Sequence, residues 1–306
     1  MARARQRQRH ADVRRRQDRP RPTQDGGLMP GGRAHRFILQ RLRATRLAHH
    51  RTPADLGLAA ETVRLRTAGG KSLFAWFVPG PGDGPAPAVL LMHGWGANAA
   101  LMLPAVPPLH AAGFAVLLPD ARCHGASDDE EFSSMPRFAE DIGTGLDWLR
   151  GQTAVDATRL AVAGHSVGAA AALLAATQRE DIRAVVSLSA FAHPAELMRR
   201  WLHEQHLPWW PLGWAVAHHV QRVIGARFDD IAPLATLPRV RCPVLLVHGL
   251  HDETAPFADA QRLEAASAGR APVLPVDAGH DLGESLGPHA DAIVGFLRSA
   301  LFPRAA

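Results

Sequence analysis

Six runs of the chain are apolar almost without interruption, each bounded by turn-forming residues: AVLLMH (88–93), FAVLLPD (114–120), RLAVAG (159–164), AVVSLS (184–189), PVLLVHG (243–249) and PVLPVD (272–277). A strand with one wet face alternates polar and apolar side chains, whereas a run without alternation has both faces covered, as inside a parallel sheet. Helix-like segments separate the runs, at 99–112, 137–151, 167–178, 257–268 and 286–301. Strands alternating with helices predict an α/β fold with a doubly wound, mostly parallel sheet. Upstream, ETVRLRT (61–67) and SLFAWFV (72–78) flank a Gly-Gly turn, so the sheet is entered through an antiparallel hairpin.

The 306 residues, 47% of them hydrophobic, suffice for a large core. Charge is unevenly placed. Residues 1–28 hold nine arginines and three aspartates, a surplus of six that exceeds the +5 of the whole chain and leaves the remainder at −1. The pI of about 10.6 therefore describes a tail, and the nearly neutral body is not a nucleic-acid binder. Residues 1–34 lack the apolar groups to offset ordering entropy and are expected to be a disordered basic tail, with Met29 opening ordinary composition after a dispensable leader. The domain proper is expected over 35–306. Its first segment, 35–50, reads as a basic helix with an apolar stripe of Phe37, Ile38, Leu42 and Leu47, which packs on its own domain or makes weak membrane-surface contact. No run is long enough to span a bilayer. Two cysteines, Cys123 and Cys242, make no disulfide framework and point to the cytoplasm. Tyrosine is absent, which removes it as an acid, base or oxyanion donor.

One interval breaks the rhythm. More than fifty residues separate the runs at 184–189 and 243–249, and they hold Trp201, Trp209, Trp210 and Trp214. The segment at about 191–236 is expected to be a helical cap or lid whose indoles wall a substrate pocket.

AVAGHSVGAA (161–170) lies where an apolar run meets an alanine-rich helix. G-x-S-x-G at such a junction is a nucleophile elbow, a turn so tight that only glycine fits two residues either side of Ser166. An acyl-transfer serine needs a base, a group that orients the base, and donors for the oxyanion. Each belongs just past the carboxyl end of a parallel strand. HGWGAN after the run at 88–93 offers the backbone N–H of Trp95, and Val167 offers a second. HGLHDETAP after the fifth run supplies Asp252, and DAGHDLG after the last supplies His280. Asp277 and Asp281 lie too near His280 along the chain to approach its Nδ1 from the far side. His93, His124 and His248 read as turn-fixing groups, Asp120 and Arg122 as anchors of their own loop, and His165 and Trp95 as pocket lining. No spacing suits a metal or a cofactor, and none is expected.

With Ser166, Asp252 and His280 in that order, the sequence resembles the α/β-hydrolase superfamily over most of residues 60–303. PDARCHGASD (119–128) resembles the loop after the family's fourth strand, and HGLHDETAP its acid loop. The resemblance implies an α/β-hydrolase fold with a cap after the sixth strand and an esterase, lipase or aminopeptidase-like activity. It implies Ser166 as nucleophile, His280 as base and Asp252 as its partner. Serine at the elbow argues against dehalogenase or epoxide-hydrolase chemistry. The expected substrate is a small or medium apolar ester. A lipase or thioesterase near membranes, an aminopeptidase using Glu196, Glu204, Asp229 or Asp230 to hold an amine, and a non-catalytic binding protein stay open.

Overall fold

The computed structural model describes residues 43–302, together with Gly32 and Leu39. The chain divides into Met1–Arg41 and Leu42–Ala306, and every element below belongs to the second unit. The basic tail and the first half of the stripe at 35–50 lie outside the described residues, apart from Gly32 and Leu39.

The strands are β1 (Glu61–Arg66), β2 (Ser72–Val78), β3 (Ala86–Met92), β4 (Ala115–Pro119), β5 (Val155–His165), β6 (Ile182–Leu188), β7 (Val244–Gly249) and β8 (Val273–Val276). The helices are α1 (Val106–Ala111), α2 (Met135–Arg150), α3 (Val167–Gln178), α4 (Pro194–Glu204), α5 (Trp214–Ile224), α6 (Phe228–Ile231), α7 (Pro233–Thr236), α8 (Phe257–Ala266) and α9 (Ala290–Leu301). One eight-stranded sheet runs β1-β2-β4-β3-β5-β6-β7-β8. β1 pairs antiparallel with β2 and β2 with β4, and every later pair is parallel. The expected hairpin entry is present, closed by Gly70 at φ +78°, a conformation that glycine adopts without strain.

The unbroken apolar runs have the cause inferred for them. Leu90, Leu160 and Val162 join a core with Phe138 and Leu146 of α2, while their neighbours Leu91, Ala161 and Ala163 join a second core with Leu109 of α1 and Leu297 of α9. α3 is buried from Gly168 to Ala176, and its alanines let it lie close against the sheet. From β3 the chain steps outward to β4 and then back across to β5, so the order reverses beside β3, and sheets of this kind build their sites at the strands' carboxyl ends beside such a reversal.

Two expectations need correction. The helix expected over 99–112 is a 3-10 turn, Ala99–Ala105, followed by the short α1, because Pro104, Pro107 and Pro108 withhold the amides a continuous helix needs. The described part of the basic helix, 43–50, is irregular chain. Its polar groups bond far along the sequence: Arg46 donates to the carbonyls of Gly125 (2.6 Å) and Ser127 (2.7 Å), and Asn98 donates to the carbonyl of Leu47 at 3.0 Å. His49 pairs with Asp120 at 2.9 Å. Among the described residues, no helix is long and apolar enough to cross a membrane.

Candidate active site

β5 ends at His165 and α3 begins at Val167, so Ser166 alone makes the turn, at φ +53° and ψ −114°. A non-glycine residue held there stores on the order of 1–3 kcal/mol of strain. Its amide donates to the carbonyl of Leu188 at 2.8 Å, and its own carbonyl accepts from Ala170 at 3.0 Å. The flanking glycines are required by contact. A Cβ on Gly164 would lie 2.7 Å from the amide nitrogen of Ala169 and collide with the carbonyl of Gly168, and one on Gly168 would lie 2.6 Å from the carbonyl oxygen of Met92.

Loops from three strand ends converge on this turn. His280, after β8, places Nε2 3.0 Å from Ser166 Oγ and Nδ1 2.8 Å from Asp252 Oδ2. A carboxylate only accepts, so Nδ1–H donates to Asp252 and Nε2 is left to accept from the hydroxyl. Asp252 is buried, and its Oδ1 accepts from the amides of Thr254 (2.9 Å) and Ala255 (2.7 Å). Burial pushes its carboxyl up, but the His280 bond, the Ala255 amide and the two neighbouring imidazoles outweigh burial and hold it below the usual carboxylate range. His248 donates to the carbonyl of Ala255 at 2.6 Å with its ring nitrogen 3.4 Å from Asp252, so it braces the acid loop.

Among the described residues, the amides of Trp95 and Val167 have no acceptor in the protein. The turn carrying Trp95 is fixed by His93, whose Nε2 accepts from Ala121 at 3.0 Å while Nδ1–H donates to the carbonyl of Gly94 at 2.7 Å. Burial lowers the His93 pKa to about 4, so the ring is neutral and keeps this donor–acceptor pattern at neutral pH. Asp120 accepts from the amides of Ala99 and Ala126, and Arg122 grips buried Asp141 through two nitrogens. Both anchor their own loop.

His165 is buried, and its Nε2–H donates to the carbonyl of His280 at 2.8 Å, which ties the base's loop to the elbow. Its Nδ1 is buried without a partner, and burial lowers its pKa. The side chain of Trp95 is partly exposed, stacked on Phe138 at 6.4 Å. Trp209 is half-buried beneath the Arg199 guanidinium, 4.7 Å away. Trp201, Trp210 and Trp214 are 46%, 70% and 50% exposed, so Trp210 lies largely in solvent and the other two are about half covered.

Of the carboxylates considered for holding an amine, Glu196 is clamped by both terminal nitrogens of Arg262 (2.6 and 2.9 Å), and Asp229 pairs with His193 and Arg227. Glu204 and Asp230 are exposed. Sequence reasoning missed the anchor of this insert: buried Asp259 accepts from the amide of Ala192 (3.1 Å), Arg200 (3.0 Å) and Arg262 (3.2 Å). Its only advance signal was an aspartate in the first turn of α8. Among the described residues, no group of three or more His, Cys, Asp or Glu side chains converges as a metal-ligand set.

Residues 83–227 match the family described as Serine aminopeptidase, S33. An uncharacterized protein of Mycobacterium tuberculosis is 33% identical across 69% of this chain and 68% of its own length. The alpha/beta hydrolase domain-containing protein WAV2 of Arabidopsis thaliana is 26% identical across 72% of this chain and 71% of its own. Among solved structures, an esterase of Pyrococcus furiosus superposes with a TM-score of 0.69 at 19% identity, covering 85% of this chain and 98% of the esterase. That last likeness is one of fold.

Proposed function

The chain belongs to the α/β-hydrolase superfamily, and from that premise we propose that it is a serine hydrolase cleaving carboxylic esters through an acyl-enzyme. The observation that carries this reading is the unbroken relay from Ser166 Oγ through His280 to Asp252, at 3.0 and 2.8 Å.

His280 Nε2 takes the hydroxyl proton as Oγ forms its bond to the acyl carbon, and the carbonyl π electrons move onto oxygen. Asp252 holds the imidazole in the tautomer with Nδ1 protonated and stabilises the cation that forms. The unpaired amides of Trp95 and Val167 receive the oxyanion, each worth roughly a hundred- to thousandfold in rate. The tetrahedral species collapses as the alkoxide leaves with the proton from His280. Water, deprotonated by the same imidazole, then cleaves the acyl-serine.

Met102, Leu188 and Leu282 lie beside His165 around a gap of about 20 Å³, room for one water, so an apolar surface adjoins the elbow. The insert at 191–236 acts as a cap, held to α8 through Asp259. Two unpaired cysteines are consistent with a reducing cytoplasm.

Amide hydrolysis is the second reading, favoured by the matched family's description. It is weakened because Glu196, one of the carboxylates that could hold an amine, is already paired with Arg262. A panel of p-nitrophenyl esters of increasing chain length beside aminoacyl anilides separates the two. Turnover of short esters with inert anilides supports an esterase, and the reverse pattern assigns a peptidase. A fluorophosphonate that leaves folded protein unlabelled assigns a binding protein instead.

A further inference from the structure

One face of α5 carries Trp214, His218 and Arg222 one turn apart, with Trp210 just ahead of the helix. The Trp210 and Trp214 rings lie 5.6 Å apart, and Trp214 stacks on His218 at 5.4 Å with the planes 5° apart. Leu207 and Leu212, on the same connecting tip, are also exposed. Four large apolar side chains within eight residues are thus left in water, an arrangement that marks an interaction surface.

The ladder leads from apolar to basic. Beyond His218 a cleft of about 520 Å³ is lined by Gln221, Arg222, Arg227 and Asp229. Asp229, the acidic residue lining this cleft, accepts from Arg227 at 3.2 Å and faces His193 at 3.2 Å, and Arg222 has no carboxylate partner among the described residues.

We propose that this face docks on a bilayer containing anionic phospholipid. Leu207, Trp210, Leu212 and Trp214 enter the boundary between headgroups and acyl chains, where indole, apolar in its body and polar at its N–H, is most at home. Arg222 and Arg227 meet lipid phosphates beside them. A protein partner would also cover the rings. The bilayer is favoured because it alone presents phosphate and hydrocarbon in adjacent layers everywhere, matching guanidinium next to indole along one ladder. The docking does not depend on hydrolase chemistry, and the Ser166→Ala protein should dock as the wild type does.

The test is quenching of tryptophan emission by vesicles of brominated phosphatidylcholine with phosphatidylglycerol as the minor component. The arginines of residues 1–28 can bring the chain to anionic vesicles by charge alone, so quenching by brominated chains, and not sedimentation, is the readout. The wild type should be quenched. W210S/W214S, matched to it in circular dichroism and Tm, should lose most of the quenching and partition roughly tenfold less. R222Q and R227Q should each weaken partitioning to the anionic vesicles roughly fivefold and leave that to pure phosphatidylcholine unchanged. If the double variant unfolds, W210S alone carries the test, since Trp210 is the most exposed of these rings. Unquenched wild type, or equal quenching in the variant, overturns the proposal. A dimer that the variant dissolves, with emission unquenched, also overturns it and gives the face to a second copy.

Discussion

The rim around Ser166 and the insert between β6 and β7 are built on opposite terms. At the rim, backbone contacts leave no room: Gly164 and Gly168 touch neighbouring main chain, His93 and Asp120 are buried with bonds to loop amides and carbonyls, and Asp252 has both carboxylate oxygens engaged. In the insert, α4 and α5 expose their largest side chains, and the anchor to α8 runs through the carboxylate of Asp259 and the Glu196–Arg262 pair. Changes at the rim should therefore act as all or nothing, while changes in the insert should be graded.

The largest effect tests the rim's chemistry. Ser166→Ala should lower kcat for an activated ester by about 10⁶-fold with Tm unchanged, and steady-state assay of the purified variant checks it. Turnover at the wild-type level would break the contrast at its strongest point. Asp252→Asn comes next, at about 10⁴-fold in kcat, because an amide no longer selects the productive tautomer. Gly168→Ala tests whether the rim is rigid for steric reasons. The added carbon meets the Met92 carbonyl oxygen at 2.6 Å, so urea unfolding should show a loss of about 1–3 kcal/mol, with activity falling alongside as the turn at 93–95 shifts.

A pH titration sharpens the comparison further. His93 is held neutral, its pKa lowered from 6.5 to about 4 by burial, and burial lowers His124 and His165 in the same direction. A depressed pKa contributes stability that is present above the unfolded value and lost as pH falls toward the folded one. Unfolding free energy should thus decline between pH 6.5 and 4, by about 3 kcal/mol from His93 alone, and His93→Gln should flatten that decline. The smallest effect belongs to the insert. Trp210→Ala, at a ring 70% exposed, should change stability by no more than about 0.5 kcal/mol in thermal or urea unfolding, and a larger loss would show the insert to be packed as tightly as the rim.

What the sequence disclosed follows the same division. The six apolar runs announced the parallel strands because burial on both faces removes alternation, and the glycines around Ser166 announced the turn because a steric requirement is local. Loops after strands placed Trp95, Asp252 and His280 at one rim through topology alone. The segment at 43–50 was misread as helix because the groups that pin Arg46 and His49, near residues 120–127, lie some seventy to eighty positions away. The direction of the tryptophans was equally hidden, since aromatic content does not tell whether a ring faces a pocket or water. Asp259 escaped notice because its partners Ala192 and Arg200 are distant in sequence.

The central claim is that Ser166 is activated by His280. It is tested most directly by treating the folded protein with a fluorophosphonate and mapping the adduct by mass spectrometry, beside His280→Ala. Stoichiometric modification of Ser166, slowed by orders of magnitude in the variant, is the predicted result. An adduct on a different serine, or wild-type and variant reacting at one rate, would contradict it.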